Sequence, residues 1–152
     1  MALDAKIKEQ LNQYLTKIES PVSIDAYTNN EPASSSMVDL LKELSGMSEK
    51  VSLNIVNDGI ERTPSFKVNK PNELSGIQFA GIPMGHEFTS LVLALLQVGG
   101  YPVKISEEQI EQIRNIKGEF IFETYISLSC HNCPDVVQAL NVLSLLNPGI
   151  SH

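Results

Sequence analysis

Leu3, Ile7, Leu11, Tyr14, Leu15 and Ile18 recur at steps of three and four residues, the spacing that lines one face of an α-helix. An amphipathic helix is therefore expected up to Ser20-Pro21, where the proline stops it. Val22, Ile24 and Ala26 then alternate with polar neighbours and predict a strand to Tyr27. A polar, serine-rich loop over 28–36 leads into a second helix carrying Met37, Leu40, Leu41 and Leu44 and ending near Gly46. Val51, Leu53 and Ile55 predict a second strand, and 64–69 and 77–80 two more, separated by a turn-rich stretch at 70–76. From Gly85 a mostly apolar helix runs to Val98, where Gly99-Gly100 close it.

The order α-β-α-β-β-β-α is the thioredoxin-like arrangement with an extra leading helix, and the second half of the chain begins it again. A helix over 106–116, with Ile110, Ile113 and Ile116 apolar, precedes a strand carrying Phe120, Phe122 and Thr124 and then another helix. Residues 37–44, MVDLLKEL, align with 133–140, CPDVVQAL, and the preceding strands match after a two-residue gap. Two units of similar plan are implied, 1–100 and 101–152. The second does not finish: after Leu146 comes Asn147-Pro148-Gly149, and Ile150-Ser151-His152 would open the next strand. The fold class expected is α/β, tandem thioredoxin-like folds with the second one truncated in this chain. The second unit should then be the more labile half, because its strand edges and the apolar side of 136–146 need a cover.

At 152 residues, 42% hydrophobic and 19% charged, the chain suits a globular protein of one or two domains. A net charge of −7 with no cluster of Lys and Arg argues against nucleic acid as a partner. The N-terminus has no positive segment followed by an apolar run, and the longest apolar stretch, 91–96, is too short to span a bilayer. No membrane association and a cytoplasmic location are expected.

The only cysteines are Cys130 and Cys133, in Ser129-Cys130-His131-Asn132-Cys133-Pro134, between an apolar run and a helical pattern. At a helix start the first backbone N–H groups are unsatisfied and the macrodipole is positive, so a thiolate is favoured there. Cys130 is the expected nucleophile, and Cys133 lies near enough to close a disulfide on it. The alternatives are half of a zinc site, a structural disulfide, or two inert thiols. Zinc needs four ligands, and only His86, His131 and His152 could join. With no second cysteine pair, redox chemistry is the stronger reading. At the aligned positions the first unit has Ser34 and Met37 and cannot cycle a disulfide.

Residues 79–96, FAGIPMGHEFTSLVLALL, followed by 127–141, SLSCHNCPDVVQALN, closely resemble the N-terminal domain of the flavoprotein subunit of bacterial alkyl hydroperoxide reductase, from the first helix to the last residue. The resemblance implies two fused thioredoxin-like folds, of which only the second keeps its cysteines. It implies a relay of electrons from NADH (or NADPH) and FAD, bound by a C-terminal reductase-like part absent here, to the disulfide of a peroxiredoxin partner. No cofactor or metal is expected in this chain, and turnover with NADH is not expected of these residues alone. Glu87 reads by position as an ordinary first-turn carboxylate; the resemblance implies instead a proton-moving residue near the dithiol, able to accept the proton of Cys133. His86 reads as a surface or capping residue. A cationic His131 inside the motif would stabilise the Cys130 thiolate and make the pair more oxidising. Thr63-Pro64 resembles the proline turn of thioredoxin-like units, where a cis bond is expected. A non-catalytic docking module with a vestigial dithiol is the alternative function, and a homodimer is compatible with the sequence.

Overall fold

The computed structural model describes residues 3–152. Helix α1 spans Ala5–Leu15, and the Asp4 side chain accepts from the Ile7 N–H at its start. It stops three residues before the apolar period does. Lys17 and Ile18 turn back on Tyr14 and Leu15 in i→i−3 bonds, which tighten the end and still bury Ile18.

Strand β1 (Val22–Tyr27) is the centre of the first unit's sheet, with Val22, Ile24 and Ala26 on its buried face. It pairs in parallel with β2 (Val51–Val56) and antiparallel with β3 (Ser65–Asn69), which pairs antiparallel with β4 (Gln78–Ala80). The sheet order is β2-β1-β3-β4. Between β1 and β2 runs α2 (Pro32–Gly46). It begins four residues inside the stretch expected to be loop, because Pro32 occupies its first turn, where a missing N–H costs nothing. Ser34 and Met37 thus lie inside a helix and are buried, whereas their aligned counterparts stand at a helix start. The Thr63–Pro64 bond before β3 is cis.

A 3₁₀ turn, Gly85–Glu87, leads into α3 (Phe88–Val98), whose buried residues face every direction. A helix apolar all round is a buried one. Here the reason is that α3 has packing on two sides: α1 and β3 of the first unit on one, and α5 of the second on the other.

The second unit comprises α4 (Glu107–Arg114), β5 (Phe120–Ile121), α5 (Cys133–Leu146) and β6 (Ile150–Ser151). Helix α4 opens on a reciprocal capping box between Ser106 and Gln109. β5 pairs in parallel with β6 across α5, as β1 does with β2 across α2. β5 is shorter than the expected 120–124: its ladder is only as long as its partner, and the last rung is the Phe122 N–H to the Ser151 carbonyl. The two sheets are joined, because the His152 N–H donates to the Gly76 carbonyl at 2.8 Å and the Gln78 N–H to the His152 carbonyl at 2.9 Å. Gly76, at φ +83°, faces the Ile150 carbonyl so closely that a Cβ there would stand 2.7 Å from it. Among the described residues no helix is long and apolar enough to cross a membrane.

The expected lability is thus narrower than the whole second unit. α5 buries Val137, Asn141 and Ser144 against its neighbours, while Ile121 and Tyr125 remain more than four-fifths exposed. Hydrogen exchange should be slowest through 91–96, substantially protected through 137–145, and fastest through 121–131; comparable protection in 121–131 and 91–96 would contradict this packing.

Candidate active site

The chain crosses from β5 to α5 through 122–132, and the Cys130 N–H closes a turn on the Ser127 carbonyl at 3.0 Å. Asn132 occupies the N-cap of α5 without a side-chain cap bond. The Cys133 N–H, free of a competing cap, donates to Cys130 Sγ at 3.2 Å. Cys130 and Cys133 are joined as a disulfide with Cα atoms 5.5 Å apart, and both are partly exposed. The helix start therefore does two things: it fixes the cysteine spacing and aims a backbone donor at the first sulfur, a contact that would stabilise a thiolate.

The 3₁₀ turn 85–87 faces this motif. The His86 N–H donates to the Leu128 carbonyl at 3.1 Å, and Gly85, at φ +57°, lies where a Cβ would come within 2.8 Å of the same oxygen. This close approach brings the His86 ring to 4.5 Å from the His131 ring, tilted by 56°. His86 is exposed, as expected, but its neighbour is the dithiol motif. Nothing in the sequence beyond its adjacency to Glu87 signals that pairing.

Glu87 does not serve as a helix cap. It makes no side-chain cap bond, is only 1% exposed, and neither carboxyl oxygen has a hydrogen-bond partner in the protein. It lines a cleft of about 390 Å³ between the β4–α3 turn, the 121–128 segment and α5. Val137, one turn beyond Cys133, and Asn141, one turn further, line the same cleft. Glu87 and the dithiol thus share the N-terminal half of α5.

The opposite wall holds a chain of polar side chains that sequence reasoning does not find. Asn141 Oδ1 lies 2.8 Å from His152 Nδ1, and His152 Nε2 lies 2.8 Å from Thr124 Oγ1. Burial pushes the His152 imidazole below its ordinary value, so it is neutral near pH 7. Because Asn141 Oδ1 only accepts, Nδ1 carries the ring proton and the Thr124 hydroxyl donates to Nε2. Asn141 Nδ2 is left buried and without a partner. His152 is thereby removed from any zinc site, and among the described residues no group of three or more His, Cys, Asp and Glu is gathered to hold a metal.

The cleft rim carries Arg62 and Glu123, paired at 3.2 Å, and Glu61, paired with Lys67 at 2.9 Å. Both ion pairs are solvent-screened and contribute little to stability. The Lys67 and Gln78 hydrogen bonds hold the Glu61 carboxyl below its usual range. The turn from β4 to α3 carries Gly81 and Gly85, which resembles a phosphate-binding turn. A dinucleotide does not fit there: the buried Glu87 carboxylate stands where a pyrophosphate would need the helix N–H groups.

A dithiol at the start of the helix of a βαβ unit, docked on a second such unit without cysteines, defines a tandem thioredoxin-like module. The chain is homologous along its whole length to the flavoprotein component of alkyl hydroperoxide reductase, and its structural neighbours include the N-terminal domain of that component. It is 53% identical over 150 residues, 99% of this chain and 28% of the relative, to the alkyl hydroperoxide reductase F subunit of Xanthomonas campestris pv. phaseoli. It is 57% identical over 152 residues, all of this chain and 29% of the relative, to an NADH dehydrogenase of Ferdinandcohnia aciditolerans. The crystal structure of the N-terminal domain of AhpF from Enterococcus faecalis matches 99% of this chain and 78% of that one, at 27% identity and a TM-score of 0.87. A protein disulfide oxidoreductase from Aeropyrum pernix shares the fold over 99% of this chain and 73% of that one, at 19% identity and a TM-score of 0.82. No family model matches. The chain spans less than a third of the length of the curated relatives it matches.

Two outcomes follow from the burial. Replacing Glu87 by Met removes two buried, unpartnered oxygens and should raise the unfolding free energy by about 1–3 kcal/mol in urea denaturation. His152 binds a proton less readily folded than unfolded, so its contribution to stability is complete above pH ~6.5 and lost as pH falls from there towards its lower folded value. The Glu61 contribution is lost separately, below pH ~4.5. His152→Gln should therefore flatten the stability profile just below pH ~6.5 and leave the more acidic limb in place.

Proposed function

We propose that the chain is a thiol–disulfide relay module of an alkyl hydroperoxide reductase system. It would carry electrons from a flavin- and nicotinamide-dependent reductase part of a longer protein to the disulfide of a peroxiredoxin, in the cytoplasm. The observation that carries this reading is the Cys130–Cys133 disulfide at the start of α5, with Cys130 Sγ on a helix N–H. The functional division falls near residue 100, with 1–100 supplying the scaffold and the Glu87 carboxylate and 101–152 the dithiol.

In the reduced state the Cys130 thiolate attacks one sulfur of the partner's disulfide; a bond forms between Cys130 and that sulfur, and the other partner sulfur leaves as a thiolate. Cys133 then attacks Cys130, its proton passing to the Glu87 carboxylate. The Cys130–Cys133 bond forms, and the second partner sulfur leaves. Two electrons have moved, and the oxidised pair is re-reduced by a dithiol of the reductase part. The rate of the first step follows the thiolate fraction of Cys130 and the leaving thiol's acidity. His131 stands between the two cysteines and beside His86, so a positive charge on either ring would favour the Cys130 thiolate.

Cys133→Ser removes the resolving thiol and leaves the attacking one. Mixed with an oxidised two-cysteine peroxiredoxin, that variant should accumulate a covalent complex on a non-reducing gel, and Cys130→Ser should not. A complex captured by Cys133 in the Cys130→Ser variant reverses the assignment, and no complex with either variant removes the peroxiredoxin as partner.

A further inference from the structure

The Glu87 cleft contains two unfinished hydrogen-bonding sets that complement each other. On one wall are the two carboxyl oxygens of Glu87, which accept and have no donor; on another is Asn141 Nδ2, which donates and has no acceptor. Buried polar groups are almost always paired, so two unpaired sets of opposite kind lining one cleft call for a physical reason. Asn141 is not free to turn away: its Oδ1 is held by His152 Nδ1, and His152 is held by Thr124 and, through its backbone, by Gly76 and Gln78. Swapping the amide would set Nδ2 against a ring nitrogen that already donates. The orientation that satisfies the chain points the amide N–H into the cleft.

We infer that Asn141, oriented by His152 and Thr124, is a positioning residue that presents its N–H to the charged Glu87 carboxylate and so sets how readily Glu87 takes up the proton of Cys133. The inference rests on the proton-accepting reading of Glu87 given above. The cleft, at about 390 Å³, is large enough for a water molecule to bridge the two, and such a water would have the required two or more polar partners. A donor aimed at the charged form holds a carboxylate ionised in a place where burial alone would neutralise it. The protons balance: Cys133 loses its proton as its sulfur bonds Cys130, Glu87 gains it, and the Asn141 N–H contact weakens as the carboxylate becomes neutral. The other titratable groups facing Glu87 are His86 in its own turn, Cys133 on α5, His152 on β6's end, and Glu61, Arg62 and Glu123 on the rim.

Reduced full-length chain mixed with the aromatic disulfide DTNB releases thionitrobenzoate in two phases. Cys130 attacks first, and Cys133 then resolves the mixed disulfide, so the second phase followed from pH 5 to 9 reports the proton acceptor. Asn141→Leu should move the acid limb of that phase to higher pH and slow it about three- to tenfold at pH 6.5. His152→Gln, which loosens the support and keeps Asn141, should move it the same way by less. Asn141→Ser, too short to reach the carboxylate and small enough to fold, should reproduce the Leu result and decides the matter if the Leu variant does not fold. Glu87→Gln should abolish the acid limb, after which Asn141→Ser added to it should change nothing. An acid limb lost in Glu87→Gln but unmoved by the Asn141 substitutions overturns the role of Asn141 and leaves that of Glu87. An acid limb intact in Glu87→Gln overturns both.

Discussion

The packing of α3 between the two units is the constraint from which the rest of the structure follows. Its Leu91, Leu95 and Val98 are fully buried, with α1 and β3 on one side and α5 on the other. The second unit has few buried apolar side chains of its own among the described residues, chiefly Val137 and Ile150. α3 is therefore the surface on which α5 gains its cover, and the start of α5 is where the dithiol is made. Because the 3₁₀ turn at 85–87 is continuous with α3, the same packing carries Glu87 inward and places His86 against His131. Gly76 and Gly85 mark the two points where backbone from one unit meets backbone of the other too closely for a Cβ. Both close approaches serve the site: one seats β6 and His152, the other the segment just before Cys130.

Exposure and burial are divided between the two steps of disulfide exchange. The attacking sulfur must be reached by a partner, and Cys130 is partly exposed at a helix start that supplies a donor. The proton acceptor must be kept from water, and Glu87 lies at the base of a cleft behind α5. A buried carboxyl without protein partners lowers stability, and a hydrophobic side chain of similar size would be better tolerated. That such a group stands at the head of the most deeply buried helix, against the helix that carries the resolving cysteine, is more easily reconciled with proton transfer than with packing.

The sequence periodicities located the elements because each has one buried face of regular spacing: the two-residue alternation of Val22, Ile24 and Ala26, and the three- and four-residue steps of α1 and α2. The cysteine pair was legible because its spacing and its position before a helix are local. What was not legible depends on contacts between distant residues. The length of β5 is set by its partner β6, far along the chain, and not by its own apolar pattern. Pro32 starts α2 earlier than the serine-rich composition of 28–36 suggests. Glu87 looks like a first-turn carboxylate by position, and only the docking of α5 makes it interior. Asn141 and His152 carry no motif at all; they meet because β6 folds back beside α5.

The two units also differ in how they treat the equivalent polar position. In the first, Ser34 stands where the alignment puts Cys130, and it exchanges hydrogen bonds with Asn29, whose side chain donates to Thr63 just before Pro64. The Ser34 hydroxyl both accepts and donates, and Asn29 uses its amide oxygen and nitrogen together, so this buried cluster is closed. In the second, Glu87 and Asn141 leave acceptors and a donor open. A satisfied network in a low-dielectric interior rigidifies, because each bond strengthens its neighbours and none is spare. An unsatisfied one is costly, and it retains the capacity to bind a proton or a water. The same fold thus holds a locked polar cluster in one unit and an unlocked one beside the dithiol in the other. On this argument the loss of cysteines from the first unit and the filling of its site by hydrogen bonds are one change: without a disulfide to cycle, an open buried acceptor there would only destabilise the sheet against which α3 packs.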